Sequence, residues 1–274
     1  MFTLLFSMSS ILTFQQQPNI QLEVVGNSND SKHWAFFAPH ENEHVSNDYV
    51  AQKIIEKGGV FVVLKQAGKR TVTLEIDNHK IKIDPNRMFT QTGRFASINK
   101  LNPELASDPL SIQKAEQRAK KLSEFVLDTL SGKQPPKTLI AMHNNSNGYE
   151  GDGKQGIGNV SIERYQTKLS SGAQYLIDVA SGQHDEDDLY FVTDKHDFST
   201  MQSLGWNAVL QNPKVAHDPE EDDGSLSVYA EMQGYRYINI EAERVTEGFG
   251  ENHLAVQKQM VDFTFSLLEQ NTAN

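Results

Sequence analysis

The sequence predicts an α/β fold, a three-layer sandwich around a mixed, mostly parallel central sheet. Three observations point there. Short apolar runs of strand length alternate with longer stretches of helical periodicity. Clusters of Asn, Asp, Gly and Pro punctuate the chain between them. Three of the apolar runs lead into a His or a Glu, as strands do when they carry a site at one sheet edge.

The elements follow in order. Ile20 to Val25 alternates enough for a strand, and Asn27-Ser28-Asn29-Asp30-Ser31 is loop chemistry. Trp34 to Ala38 is a buried strand. From Glu43 a helical pattern takes over, with Val45, Tyr49, Val50 and Ile54 on one face, and it ends at Gly58-Gly59. Val60 to Leu64 is the next strand. Thr71 to Ile83 alternates around a hairpin turn at Asp77-Asn78. Asp108-Pro109 opens a long helix whose apolar face runs through Ile112, Ala115, Ala119, Leu122, Val126 and Leu130 to Gly132. Thr138 to Met142 is a strand, and Asn144 to Gly158 a long polar loop at the rim. Leu189 to Thr193, Ser199 to Leu204 and Asn207 to Leu210 form a strand–helix–strand unit. A strand from Tyr235 leads to Glu241, and the last helix spans Asn252 to Glu269.

At 274 residues with 38% hydrophobic content, the chain buries a sizeable core. No repeat or linker divides it, so residues 20–274 read as one domain behind an N-terminal segment, residues 1–19. Met1 to Phe14 is mostly apolar, which suits the remains of a secretory signal, a frayed terminus or an edge strand. It is too short for the ~20 residues of a membrane span. Export and residence in the cytoplasm are both left open. Net charge is −11 without a dense basic cluster, which argues against nucleic acid. The absence of cysteine excludes disulfides, thiolate metal sites and a Cys nucleophile.

The chemistry sits in short segments. His40-Glu41-Asn42-Glu43 offers an imidazole and a carboxylate three residues apart, in a turn that lets both reach one ion. His143 and Glu241 each end an apolar run. Two His and one Glu are the ligand set of a catalytic zinc with a position left for water, and the remaining Glu is a proton acceptor. Glu41 and His44 compete for the same role, although the spacing favours His40 and Glu43. Glu243 shares a strand face with Glu241. In Asp84-Pro85-Asn86-Arg87, the guanidinium is a planar fork for a carboxylate and Asn86 adds a donor. The acidic run Asp218 to Asp223 lacks a calcium-loop pattern and reads as a solvated, mobile loop. Each segment also has an ordinary reading, as a helix-start carboxylate, a loop His, a Pro-Asn turn or acids on an edge strand.

Taken together, the segments bring a resemblance into view. His40-Glu41-Asn42-Glu43 resembles the HxxE ligand turn of the zinc carboxypeptidase superfamily, nearest its aspartoacylase and succinylglutamate desuccinylase branch. Asp84-Pro85-Asn86-Arg87-Met88-Phe89 is similar to that branch's Asp-Leu-Asn-Arg-x-Phe motif. His143 is similar to the third ligand, and the stretch from Gly224-Ser225 to Glu241 to the segment bearing the general base. These matches keep the family order over roughly residues 33 to 250. The resemblance implies Zn²⁺ on His40, Glu43 and His143, with Glu241 as base. It further implies that Asn86 and Arg87 grip a substrate carboxylate, with Arg87 or a neighbouring Arg stabilising the oxyanion, and that Arg70, or else Arg94, is a second substrate-binding Arg. The implied activity is hydrolysis of an amide bond in a small peptide or an N-acyl amino acid. A non-catalytic binding protein that keeps the fold and the clamp is the alternative. Two departures stand out. Ala141 occupies the place of an acid that often precedes the third ligand, and His217-Asp218-Pro219-Glu220 has no counterpart of the substrate-closing Tyr.

Overall fold

A computed structural model describes residues 9–154, 156–244 and 252–270. Its strands are β1 (Ser9–Thr13), β2 (Gln21–Gly26), β3 (Trp34–Ala38), β4 (Val60–Lys65), β5 (Val72–Ile76), β6 (His79–Ile83), β7 (Thr138–Asn145), β8 (Leu176–Ala180), β9 (Leu189–Val192), β10 (Asn207–Gln211) and β11 (Arg236–Glu243). The helices are α1 (Asn47–Lys57), α2 (Gln91–Leu101), α3 (Pro109–Ser131), α4 (Ile162–Ser170), α5 (Lys195–Ser203), α6 (Leu226–Gln233) and α7 (Asn252–Gln270). A nine-stranded sheet runs in the order β1-β2-β4-β3-β7-β11-β9-β10-β8, and β5 and β6 form a separate hairpin.

The three layers and the mixed sheet are present. The sheet is not mostly parallel, however. β4, β3, β7 and β11 run parallel at its centre, as do β9 and β10, while β1–β2, β2–β4, β11–β9 and β10–β8 are antiparallel. The antiparallel joins bracket the parallel centre, where crossover helices cover both faces.

All five residues of β3 are buried because both faces of the strand are covered. Ala35 and Phe37 pack with α2, α3, α6 and the β5–β6 hairpin, whereas Trp34, Phe36 and Ala38 pack with α1, α5 and α7. Phe36 stacks on Phe265 of α7 at 5.0 Å between ring centroids. A third, smaller cluster seats α4 over β8, β9 and β10 through Ile162, Leu176, Leu189 and Val209.

Ser9–Thr13, within the N-terminal segment, is an edge strand paired antiparallel with β2. The rest of that apolar run, residues 1–8, lies outside the described residues. Among the described residues no helix is long and apolar enough to cross a membrane.

Two boundaries near the site move. Helix α1 begins at Asn47, not at Glu43, because the Glu43 amide donates to the His40 carbonyl (2.9 Å) and closes a separate turn first. Strand β7 runs two residues past His143. Asn144 and Asn145 keep the ladder by pairing with Ala242 and Glu243, and their buried amides find partners in Gln257 (3.1 Å) and the Asp187 carbonyl (2.6 Å). Helices α2, α4 and α6 and strand β8 have no counterpart among the elements expected from the sequence.

Candidate metal centre

The site lies at the carboxyl-terminal ends of the parallel strands β3, β7 and β11. His40 follows β3 by one turn-forming Pro, and His143 is the direct register partner of Glu241 across β7–β11. Parallel partners on the same pleat share a face, so these two side chains stand side by side. The face is the one that carries Leu139, Ala141 and Tyr237 into the core below.

His40, Glu43 and His143 are buried and form a metal-chelating triad, with one ligand atom of each within 4.8 Å of the others. Glu43 Oε2 lies 3.0 Å from Nδ1 of His40 and 3.0 Å from Nδ1 of His143. The two imidazole centroids are 5.0 Å apart. The competing ligands point elsewhere. Glu41 accepts the amides of Gln66 and Gly68 (2.5 and 2.6 Å), and His44 is exposed over a different surface depression.

The ring nitrogens that face away from Glu43 are also held. His40 Nε2 lies 2.9 Å from Asp84 Oδ1, and that oxygen also accepts the Asn86 amide at 2.9 Å. The Asp84 amide is fixed in turn by Ser97 of α2 (2.9 Å). A carboxylate on both nitrogens favours the protonated form of His40. Burial opposes this, but the bonds to Asp84 and Glu43 outweigh it and raise its pKa. Burial likewise works against charge on Glu43 and Asp84, yet the imidazole bonds hold both carboxyls well below the usual range. On His143, Asn86 Nδ2 lies 3.4 Å from Nε2. The tautomer with Nδ1–H donating to Glu43 leaves Nε2 to accept from Asn86. In place of the acid missing at Ala141, this ring therefore has an amide.

Glu241 is half-buried, with Asn239 Nδ2 donating to its Oε1 at 3.1 Å. Burial pushes its pKa up, neighbouring His143 lowers it, and Glu43 raises it again. Glu243 does not stand beside it at the triad. It belongs to an acidic group farther along the strands, with Asp185 and Asp187.

The arginines divide three ways. Arg70 reaches over the triad and donates to Glu43 Oε1, with Asp84 Oδ2 at 3.8 Å. Glu41 positions its loop through the Gln66 and Gly68 amides. Arg87 donates to the Asn86 carbonyl (2.9 Å) and lies 3.4 Å from Asp223 Oδ2. Arg94 is not a substrate group. It is buried between α2 and α3, bonded to Glu116 (2.8 Å) and the Met88 carbonyl (2.9 Å).

Two cavities, about 450 and 310 Å³, meet at Arg70, His143 and Glu241. The larger reaches Asn86, Arg87 and Tyr165, and the smaller runs under the rim loop by Ser146, Ile157 and Gly158. One wall depends on two glycines. A Cβ on Gly93 would lie 2.1 Å from Gly224 Cα, and Gly224 itself has φ +77°, so only glycine permits this approach. The contact docks the 222–225 segment against the turn that carries Arg87.

The acidic run is accordingly ordered at its end, because Asp222 accepts from Thr90 Oγ1 (2.7 Å) while Asp223 faces Arg87. Its acids do not form a metal-binding group among the described residues.

Sequence reasoning missed the role of Asp84 on His40 and the grip of Glu41 on the Arg70 loop. Neither leaves a local signal, since each joins segments 25 or more residues apart. No protein-family model matches the chain, and no curated protein matches it.

Proposed function

We propose that the protein is a zinc-dependent hydrolase of an amide bond in a small, carboxylate-bearing substrate, a peptide or an N-acyl amino acid. The observation that carries this reading is the convergence of two imidazole Nδ1 atoms on one Glu43 oxygen, with Glu241 in register beside His143 at the mouth of two cavities. The donor set fits zinc. It is two nitrogens and a carboxylate, its opposite ring nitrogen on His40 is anchored by a carboxylate, and one flank is open to a cavity. His40, Glu43 and His143 would hold the ion, which supplies Lewis acidity and brings the pKa of a water from 15.7 toward ~7.

The remaining work falls to the chain. Glu241 accepts the proton from the attacking water and passes it to the leaving nitrogen. Its raised pKa places it closer to neutrality, where both transfers are served. Arg87, beside the larger cavity, anchors the substrate carboxylate by exchanging Asp223 for it, and Asn86 adds a donor from the same turn. Arg70, where the cavities meet, is placed to face the oxyanion as charge develops. Fixing the carboxylate at Arg87 sets the scissile bond near Glu241, which is a gain in orientation rather than in bond strength.

Metal analysis of purified protein, run with a panel of N-acyl amino acids and short peptides, tests the proposal. One zinc per chain and zinc-dependent release of a free amine are expected. Metal-free protein that hydrolyses the panel unchanged would overturn it, and protein that takes up no zinc would favour a binding role.

A further inference from the structure

We propose that Asp185, Asp187 and Glu243, joined by the side-chain oxygen of Asn145, form a second cation site for a hard divalent ion of the calcium class. It is independent of the zinc reading. Asp185, Asp187 and Asp188 lie just before β9, Glu243 ends β11, and Asn145 ends β7 as the register partner of Glu243. One carboxylate oxygen each from Asp185, Asp187 and Glu243 lies within 4.8 Å of the others.

Two orphaned oxygens point to a ligand. Asp187 is fully buried; its Oδ2 accepts the Gly148 amide (2.7 Å), but its Oδ1 has no partner among the described residues. Asn145 is 7% exposed; its Nδ2 is spent on the Asp187 carbonyl (2.6 Å), and its Oδ1 likewise has no partner among the described residues. Rotating that amide would aim oxygen at oxygen, so the free atom is the acceptor. A buried carboxylate oxygen without a donor is costly, and so is a neighbouring buried amide oxygen without one. A cation satisfies both at once.

The surroundings agree. Burial, followed by the charges of Asp185, Glu243 and Asp188, pushes Asp187 up to about 7, and burial with Asp185 takes Asp188 to about 6. His253 Nδ1 lies 2.9 Å from Glu243 Oε2. The offered atoms are all oxygens. That suits Ca²⁺, which takes 6–8 oxygen ligands at about 2.3–2.6 Å, whereas zinc prefers nitrogen or sulfur. Through Gly148 the ion would tie the rim loop to the end of the sheet, beside the smaller cavity.

Chelator-treated protein titrated with calcium chloride tests the site by thermal unfolding, with equilibrium dialysis for stoichiometry. One calcium per chain is expected beside any zinc, and a rise in Tm of about 5 °C or more at ~100-fold excess over Kd. The rise should persist in His143→Ala and vanish in Asp187→Asn, whose neutral amide removes a buried charge and leaves the fold intact without metal. If Asp187→Asn does not fold, Asp185→Asn, at an exposed position, carries the comparison with calcium bound at least ~10-fold more weakly. The inference is overturned if calcium does not raise Tm in a dose-dependent way, or if the Asp variants respond like the wild type.

Discussion

Replacing Asp84 by Asn isolates the outermost support of the candidate metal centre. Asp84 Oδ1 accepts from His40 Nε2 and from the Asn86 amide, each at 2.9 Å, and its other oxygen faces Arg70 at 3.8 Å. Asn keeps one acceptor oxygen in this place but loses the charge. A hydrogen bond to a charged group contributes ~1.5–3 kcal/mol and a neutral one ~0.5–1.5, so the exchange costs about 1–1.5 kcal/mol. Read through His40 as a ligand, that is ~10-fold weaker zinc binding, at the lower end of the ~10–100-fold range for such supports. A similar loss of metal-free stability is expected near pH 6. The sign with pH follows from the two partners. Asp84 has a depressed pKa, so its stabilisation exists above the unfolded value of ~4 and fades as pH falls below it. His40 has a raised pKa, so its share is present below ~6.5 and is lost as pH climbs through its folded value. The stability gap between wild type and Asp84→Asn therefore peaks between these limits. Chelator competition gives the affinity, and urea unfolding across pH 3–9 gives the gap. Equal zinc affinity together with a gap flat across pH would refute the reasoning.

Other perturbations give equally distinct results. Glu241→Gln should bind zinc as the wild type does while kcat falls at least ~100-fold, since it removes the proposed proton acceptor and leaves the triad in place; an unchanged kcat would take Glu241 out of the reaction. Gly93→Ala forces a Cβ to 2.1 Å from Gly224 Cα, where backbone must shift, so a loss of ~1–3 kcal/mol is expected in urea unfolding. The same variant should raise KM for carboxylate substrates, because the turn bearing Arg87 moves. For Asp187, the pKa raised to about 7 makes its neutral form part of the stable fold. That contribution is intact below the unfolded value of ~4 and disappears as pH rises through about 7, costing up to ~4 kcal/mol in chelator. Asp187→Asn should lack this decline, which paired pH–stability curves would reveal.

How legible this was in the sequence depended on where each signal lay. Trp34–Ala38 and Thr138–Met142 declared themselves as strands, since residues buried on both faces leave a continuous apolar run. The long helix was announced by Asp108-Pro109, and Asp108 does cap it by accepting the Ser111 amide. Helix α2 was hidden because Gln91–Leu101 carries Gly93 and little one-sided apolarity; its sign was Thr90, which accepts the Gly93 amide. Ser225 before α6 and Ser161 before α4 are N-caps of the same kind, and the latter is followed by Glu163 in the first turn. The triad residues were readable because each lies at or just past the carboxyl-terminal part of a strand, at one end of the sheet. Asp84 was readable as a turn former but not as the partner of His40, because that bond depends on how the chain packs and not on its local pattern. Arg94 was a second choice after Arg70 in sequence, and its buried ion pair with Glu116 left no local sign.

X-ray absorption at the zinc K edge probes the heart of the account directly. With zinc bound, the spectrum should show two imidazole nitrogens and one or two oxygens at ~2.0–2.1 Å, and His143→Ala should lose one imidazole from that shell. A shell of oxygens alone, or one that does not change in His143→Ala, would contradict it.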